Sequence, residues 1–357
     1  MRPYQPPKLP VKISIEPFVN LLGEASFELG QLNGLQKYLP EPALIISPLT
    51  TKEATVSSKI EGTRSTVSDV FVYEATEKSQ YSETVEVYNY RRAMLFAMEA
   101  LKERKLNNYF IKELHSILLE GARGHKKRGE WRKEQVFIGE KGATIDKATY
   151  IPPEAILVPE YMENLEKYIL ENSEHPLIKI AIIHYQFEAI HPFADGNGRI
   201  GRLLIPLYLY WKGLLFQPTL YLSGYFDKHR KQYIDTLHLV DETQKYEEWI
   251  KFFLLAVKEQ AKDTQNLIEK IQSLYRETQL RLEKLKSPYI GKAVEFIFKQ
   301  PVFKPSSLRK FTNSSRATTL RIIEKMQNLK LLVPYTPPGK KRDIFIFKDL
   351  VELLQNW

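Results

Sequence analysis

The stretch His191-Pro-Phe-Ala-Asp-Gly-Asn-Gly-Arg-Ile-Gly-Arg202 decides how the rest of the chain is read. It sets a histidine at the end of an apolar helical run, two glycines around an asparagine, and arginines at the start of the next run. An open helix N-terminus gathers backbone N–H groups and the positive end of the macrodipole, which makes it an anion site. Gly196 and Gly198 let the main chain approach phosphates with no Cβ in the way. Arg199 and Arg202 supply planar donors matched to phosphate oxygens. Asp195 is placed to hold a magnesium ion that bridges those phosphates. His191 can accept a proton from an attacking hydroxyl near neutral pH. Every part that nucleotidyl or phosphoryl transfer needs lies within this one segment.

Other readings of the same residues stand beside it. Gly196, Gly198 and Gly201 spell the G-x-G-x-x-G fingerprint of dinucleotide-binding folds. That fingerprint needs a preceding strand and an acid some twenty positions on. Here the preceding run is helical and Phe216–Ser223 contains no acid. A purely structural alternative is a glycine-rich connection with a core histidine and surface arginines. No G-x-x-x-x-G-K-[ST] phosphate loop occurs.

Outward from the loop the pattern is helical on both sides. Pro176–Ile190 carries Ile180, Ile183, Phe187 and Ile190 on one face, and Ile200–Trp211 is strongly apolar. Pro159–Glu171 reads as a helix, as does the run that Asn107 opens through Leu119 before Gly121–Gly124. Gly129–Pro153 is rich in Gly, Thr and β-branched residues, and predicts a β-hairpin flanking a turn at Glu140–Gly142. Residues 1–46, with prolines at 3, 6, 7, 10, 17, 40 and 42, read as irregular. Ser47 then caps a helix whose first turn holds Pro48 and which Gly62 stops. Helical spacing resumes from Thr66 to about Arg104, and again from Phe226 to about Leu285.

The last stretch differs in charge. Of the net +9, the segment Ser287–Trp357 supplies +8, with 13 Lys/Arg against 5 Asp/Glu, so the body of the chain is almost neutral. A helix at Ile290–Lys299, a start at Ser306, a turn at Asn313–Ser315 and a helix at Arg316–Lys330 precede a hairpin of Leu332-Val333 and Ile344–Phe347. The basic turn Pro337–Arg342 joins its strands, and the order is that of a winged helix. Arg309, Lys310, Arg316 and Arg321 beside the recognition helix, with Lys340–Arg342 on the wing, suit DNA phosphates; recognition of a protein target is the alternative. The absence of cysteine excludes disulfides and thiol chemistry, and the seven histidines lack zinc spacing. No apolar run is long enough to cross a bilayer and the proline-rich start lacks a signal-peptide core, so the expectation is a cytoplasmic protein with no membrane partner.

The segment 191–202 resembles the H-P-F-x-[DE]-G-N-G-R-x-x-R signature of Fic-domain proteins and matches it at every defined position. The likeness extends over about residues 45–235. It implies a mainly α fold: a helical Fic core with a β-hairpin flap, followed by the winged-helix domain. The expected division is an N-terminal region to 104 with an inhibitory helix near 48–62, a catalytic core at 105–240, a helical connector at 241–286, and the winged helix at 287–357. The resemblance implies transfer of AMP from ATP, with Mg2+, to Ser, Thr or Tyr hydroxyls of target proteins and of the chain itself. His191 is then the general base and Asp195 the metal residue. The nucleotide set is Glu61, Gly196, Asn197, Gly198, Arg199, Gly201, Arg202 and Tyr225. Tyr225 stands where the family has an adenine-side aromatic, with a core tyrosine as the alternative. A target segment would pair with the flap near Phe137–Tyr150 as an added strand.

Ser57-Ser-Lys-Ile-Glu61-Gly62 resembles the family's inhibitory [ST]-x-x-x-E-[GN] motif. Glu61 falls in the last turn of its helix, where the macrodipole disfavours a carboxylate, so a cationic partner is expected. Arg202 is the candidate, and the pairing would deny that arginine to the γ-phosphate. Removal of AMP through the same glutamate, and a homodimer, remain open. A DNA-binding regulator that merely senses nucleotide is the alternative to an enzyme. His184 reads as a core histidine, and Gly124–Arg128 as either a solvated loop or a phosphate or target contact.

Overall fold

The computed structural model describes residues 2–37, 42–79, 81–122, 125–139, 144–171, 174–283, 287–336 and 344–357. The helices, in chain order, are α1 (Val19–Lys37), α2 (Ala43–Ile60), α3 (Val67–Thr76), α4 (Thr84–Ala100), α5 (Asn108–Leu118), α6 (Val158–Leu170), α7 (Pro176–Ile190) and α8 (Asn197–Trp211). They continue as α9 (Ser223–Lys228), α10 (Arg230–Thr243), α11 (Glu247–Glu283) and α12 (Ile290–Lys299). Then follow β1 (Val302–Phe303), α13 (Pro305–Thr312), α14 (Arg316–Asn328), β2 (Leu332–Tyr335), β3 (Ile344–Phe347) and α15 (Lys348–Asn356). The fold is mainly α, as expected, and none of the described helices is long and apolar enough to cross a membrane.

Two compact units divide the chain, neither continuous in sequence. One takes residues 1–37 and 89–262, the other 38–88 and 263–357. At the centre of the first lies α7, buried along nearly its whole length and packed against α6 and α8. Gly201 makes the α7–α8 approach close, because a Cβ there would stand 2.2 Å from Glu188 Oε1 and 3.3 Å from Phe187. Behind α7, Trp249 donates its Nε1–H to Ala181 O at 2.8 Å. Its ring lies among His184, Phe226, Tyr233 and Phe252, with centroids 5.8–6.5 Å away.

Helix α1 corrects the irregular reading of residues 1–46. Three glycines lower its propensity, yet Leu22, Ala25, Leu29, Leu32 and Gln36 recur at three- and four-residue spacing and are buried. Asn33 and Gln36 accept from the N–H groups of Phe216 and Gln217, so the helix fixes the loop beyond α8.

In the second unit α2 packs against α12 and α15, and α3 against β1 and α15. Helix α2 starts at Ala43, so Ser47 is not its N-cap and Pro48 lies within it; Ser47 Oγ instead donates to Lys299 O at the end of α12, at 2.9 Å. Thr50, Thr51 and Thr55 satisfy their hydroxyls on carbonyls one turn back, which keeps a hydroxyl-rich helix dry. The helical reading of 66–104 resolves into α3 and α4, with Thr66 and Asp69 forming a capping box at the start of α3. The three strands form one antiparallel sheet in the order β1-β3-β2, with Val333 opposite Ile346 and Val302 opposite Ile346 on the other side. Strand β1 and helix α15 are additions to the elements expected from sequence. The turn 337–342 lies outside the described residues.

Trp249 provides a test of this packing. Trp249→Ala removes a fully buried indole and its hydrogen bond, and should lower the unfolding free energy by about 3–5 kcal/mol. A urea titration followed by far-UV circular dichroism reads this as a lower midpoint.

Candidate active site

Six residues join α7 to α8, and their geometry follows from both helix ends. His191 closes α7 in the left-handed region, φ 49 and ψ 61, with its N–H on Phe187 O at 3.0 Å. A non-glycine residue there stores strain, a condition that clusters at functional sites. Gly196, at φ 81, precedes α8, and no side chain caps that helix. The first-turn N–H groups of an α-helix have no intrahelical acceptor. The expected start of α8 at Ile200 is therefore corrected to Asn197, and Asn197, Gly198 and Arg199 form its first turn. A side chain at Gly196 would also meet Leu118 at 3.3 Å and His115 at 3.6 Å.

Asn197 turns its side chain inward. Its Oδ1 accepts from Phe193 N at 2.8 Å and its Nδ2 donates to Phe193 O at 2.9 Å. Asp195 is half exposed; its Oδ1 accepts from Gly196 N at 2.6 Å and lies 3.3 Å from Arg199 Nη2. Arg199 and Arg202 are both buried in α8. A single half-exposed carboxylate beside a helix start suits magnesium, which takes most of its ligands from phosphates and water. Among the described residues no three acidic or histidine groups converge on a metal cage. Asp195 is thus the residue that fits the ion.

Beneath the turn sits a support that the sequence reading missed. Phe193 stacks on His115 at 3.6 Å, with Trp131 4.8 Å away on another side. Gly129 N–H donates to His115 Nδ1 at 2.8 Å, so Nε2 carries the ring proton and donates to Asp195 O at 2.9 Å. Burial pushes His115 down to about 4, leaving a neutral donor under the loop at pH 7. The second buried histidine, His184, donates Nδ1–H to Gly201 O at 3.0 Å and accepts from Tyr233 OH at 2.8 Å. Burial pushes it down to about 3. Its surroundings are those of a core histidine.

The flap is less regular than expected. Only Ile138 and Tyr150 pair, as an isolated antiparallel bridge, so the hairpin of 129–153 is corrected to one bridged pair; its turn at 140–142 lies outside the described residues. Arg132 and Tyr150 tie its base to the end of α7. Tyr150 OH donates to Ala189 O at 2.8 Å, and Arg132 Nε to His191 O at 2.8 Å. Part of the basic loop 124–128 also lies outside the described residues, but Arg128 and Lys127 are exposed and face Glu120 and Glu134.

The remaining expected residues sit elsewhere in the fold. Tyr225, in α9, is half-buried, with its ring 4.3 Å from His229 and 5.4 Å from Phe252. Gly201 faces α7, where its role in packing is plain. In the other unit, Ser57 is buried in α2, Glu61 closes that helix, and Gly62 follows at φ 92. Neither His115 nor Arg132 carried a signal: His115 lies on the apolar face of α5, and an arginine next to a tryptophan has no periodicity.

The class is thus that of a helical core whose α7–α8 turn opens an uncapped helix on glycine. Residues 105–209 match the model of the Fic/DOC family and residues 19–99 that of the Fic/DOC family N-terminal region, together more than half of the chain. The chain belongs to the Fic/DOC family. It is 28% identical over 194 residues to the protein adenylyltransferase Fic of Drosophila mojavensis, a match covering 51% of this chain and 35% of the relative. It is 27% identical over 217 residues to a probable protein adenylyltransferase of Aquifex aeolicus, covering 59% and 60%. The chain thus spans about a third and three fifths of these relatives. A crystal structure of a Fic family protein from Desulfovibrio desulfuricans superposes with a TM-score of 0.59 over 97% of this chain and 98% of that one, at 22% identity. Fic-1 of C. elegans gives 0.54 at 19% identity, covering 71% and 75%. At these identities the likeness is one of fold.

The two buried histidines set a pH dependence. Their folded pKa values lie below the ordinary 6.5, so the unfolded chain takes up protons first as pH falls. Their contribution is complete above pH 6.5 and is lost as pH drops through about 4 for His115 and about 3 for His184. At pH 5 each should cost on the order of 2 kcal/mol. His184→Gln should flatten the fall in urea midpoint between pH 7 and 5; an unchanged slope would show that the ring is not kept neutral.

Proposed function

We propose that the chain is a protein adenylyltransferase that moves AMP from ATP to hydroxyl side chains of proteins, its own included. The observation that carries this is the α7–α8 turn, with an imidazole at one end and an uncapped, glycine-started helix at the other. Adenylyltransferase names among the relatives support the same reading. A target Ser, Thr or Tyr oxygen attacks the α-phosphorus as His191 takes its proton. The bond from that phosphorus to the bridging oxygen breaks, and pyrophosphate leaves. The helix N-terminus at Asn197–Arg199 and the Arg199 and Arg202 guanidiniums stabilise charge on the phosphates. Asp195 would hold a magnesium ion, which would supply further charge neutralisation. Tyr225 serves the adenine, and the flap receives the target segment by strand pairing.

In this reading Glu61 restrains the reaction by taking Arg202 from the γ-phosphate, with Ser57 and Gly62 completing the motif. Its position at the C-terminal end of α2, where a carboxylate is disfavoured, supports that role. With labelled ATP and magnesium, His191→Ala should lower label transfer by about 10²–10⁴-fold while nucleotide still binds. Glu61→Gly should raise automodification. Transfer that persists without His191 would sink the enzymatic account.

A second reading draws on the C-terminal segment: a winged helix that binds DNA, with the nucleotide site acting as a sensor. Arg309, Lys310, Arg316 and Arg321 are all exposed on α13 and α14, which supports phosphate contact; the wing residues Lys340–Arg342 lie outside the described residues. Four phosphate contacts would weaken duplex affinity roughly 10²-fold between 50 and 200 mM salt. Replacing Arg316 and Arg321 with alanine should reduce the slope of log affinity against log salt by about 2. Fluorescence anisotropy with a labelled duplex measures both, and affinity indifferent to salt would count against this reading.

A further inference from the structure

The C-terminal end of α7 presents a problem that the catalytic reading leaves unsolved. A helix leaves its last carbonyls without intrahelical donors, and the negative end of the macrodipole gathers there. Here those carbonyls are buried under the flap, and the chain leaves them through a strained residue, His191. Tyr150 OH satisfies Ala189 O. The next three carbonyls are met by one residue. Arg132 donates Nη2–H to Ile190 O at 3.4 Å, Nε–H to His191 O at 2.8 Å, and its own main-chain N–H to Pro192 O at 2.9 Å.

The same guanidinium reaches the opposite way. Its Nη2 donates to Pro153 O at 2.5 Å and its Nη1 to Glu134 O at 3.3 Å, which are the two chain segments at the root of the flap. All five bonds end on main-chain carbonyls. The residue is 4% exposed. Burial brings its pKa down to about 10, so it stays a cation at neutral pH, lying against the negative helix end. Lysine could not replace it, because only a planar fork donates in several fixed directions at once.

We propose that Arg132 is the positioning residue of this site, fixing the main chain of His191 against the flap root and so setting the base relative to the target segment. The proposal rests on the reading of His191 as the general base. None of these five bonds ends in Gly196–Arg202, so they govern the base and not the anion cradle. A misplacement of about 1 Å in a reacting group costs on the order of 10²-fold in rate.

The test compares the 357-residue chain with its Arg132→Ala and Arg132→Lys forms, with His191→Ala as control. Two quantities are read: ATP affinity by calorimetry, and label transfer at saturating ATP and magnesium. Arg132→Ala should bind ATP within about threefold of the parent and transfer label on the order of 10²-fold more slowly. Arg132→Lys should remain impaired. Added guanidinium ion at millimolar concentration should restore part of the rate to Arg132→Ala and none to His191→Ala. An unchanged rate in Arg132→Ala, full rescue by lysine, or a loss of rate matched by an equal loss of ATP affinity overturns the proposal.

Amide hydrogen exchange gives a reading that needs no activity. In Arg132→Ala the His191 amide should exchange at least tenfold faster, while the amides of Leu203–Leu207 in α8 keep their protection. Unaltered protection at His191 overturns the proposal whatever the enzymology. A parent protein that transfers no label, together with faster exchange at His191 in Arg132→Ala, separates failure of the catalytic reading from failure of this one.

Discussion

One side-chain amide closes the turn on which the site depends. Asn197 accepts from the N–H of Phe193 and donates to its carbonyl, so the two ends of a five-residue segment are locked together. The donor and acceptor on Phe193 also fix which atom of the amide is which. With the segment closed, the Phe193 ring is driven down between His115, Trp131 and Phe187. That plug leaves His191 and Gly196 on the rim, one in a left-handed conformation few side chains tolerate and the other in one that favours glycine. Strain at the rim persists because the plug over-determines the loop.

Polarity under the loop is managed in two opposite ways. His115 and His184 are stripped of charge by burial and act as neutral rings with one donor and one acceptor. Arg132 is buried yet keeps its charge, because each of its bonds ends on a carbonyl oxygen. A buried cation is costly unless it is fully hydrogen-bonded, and the end of a helix is where a cluster of acceptors is available.

How much of this was legible depended on whether the signal was local. The isoleucines of α7 and the Asn107 cap of α5 gave those helices nearly to the residue, because apolar period and cap chemistry are written within a few positions. The loop at 191–202 was legible for the same reason: its histidine, glycines and arginines are consecutive. Helix α1 was hidden by Gly23, Gly30 and Gly34, and only its buried seam reveals it. Pro48 misled the start of α2, since a proline inside a helix is uncommon and its first-turn position was the simpler expectation. The roles of His115 and Arg132 had no local trace. Both act on main-chain atoms, His115 between Gly129 and Asp195 and Arg132 largely on residues 21 to 60 positions away, and a main-chain carbonyl carries no residue identity to recognise.

At two of their three crossings the compact units exchange chain inside helices. One crossing falls between Tyr88 and Asn89 within α4, another between Lys262 and Asp263 within α11, a single helix of 37 residues. The segment that matches the family model, 105–209, lies wholly inside the first unit. Excised alone it would lose Trp249, which plugs the back of α7. A graft that moves the signature to another protein keeps this packing only if the Trp249 segment travels with it. The short motif is portable as text but not as matter.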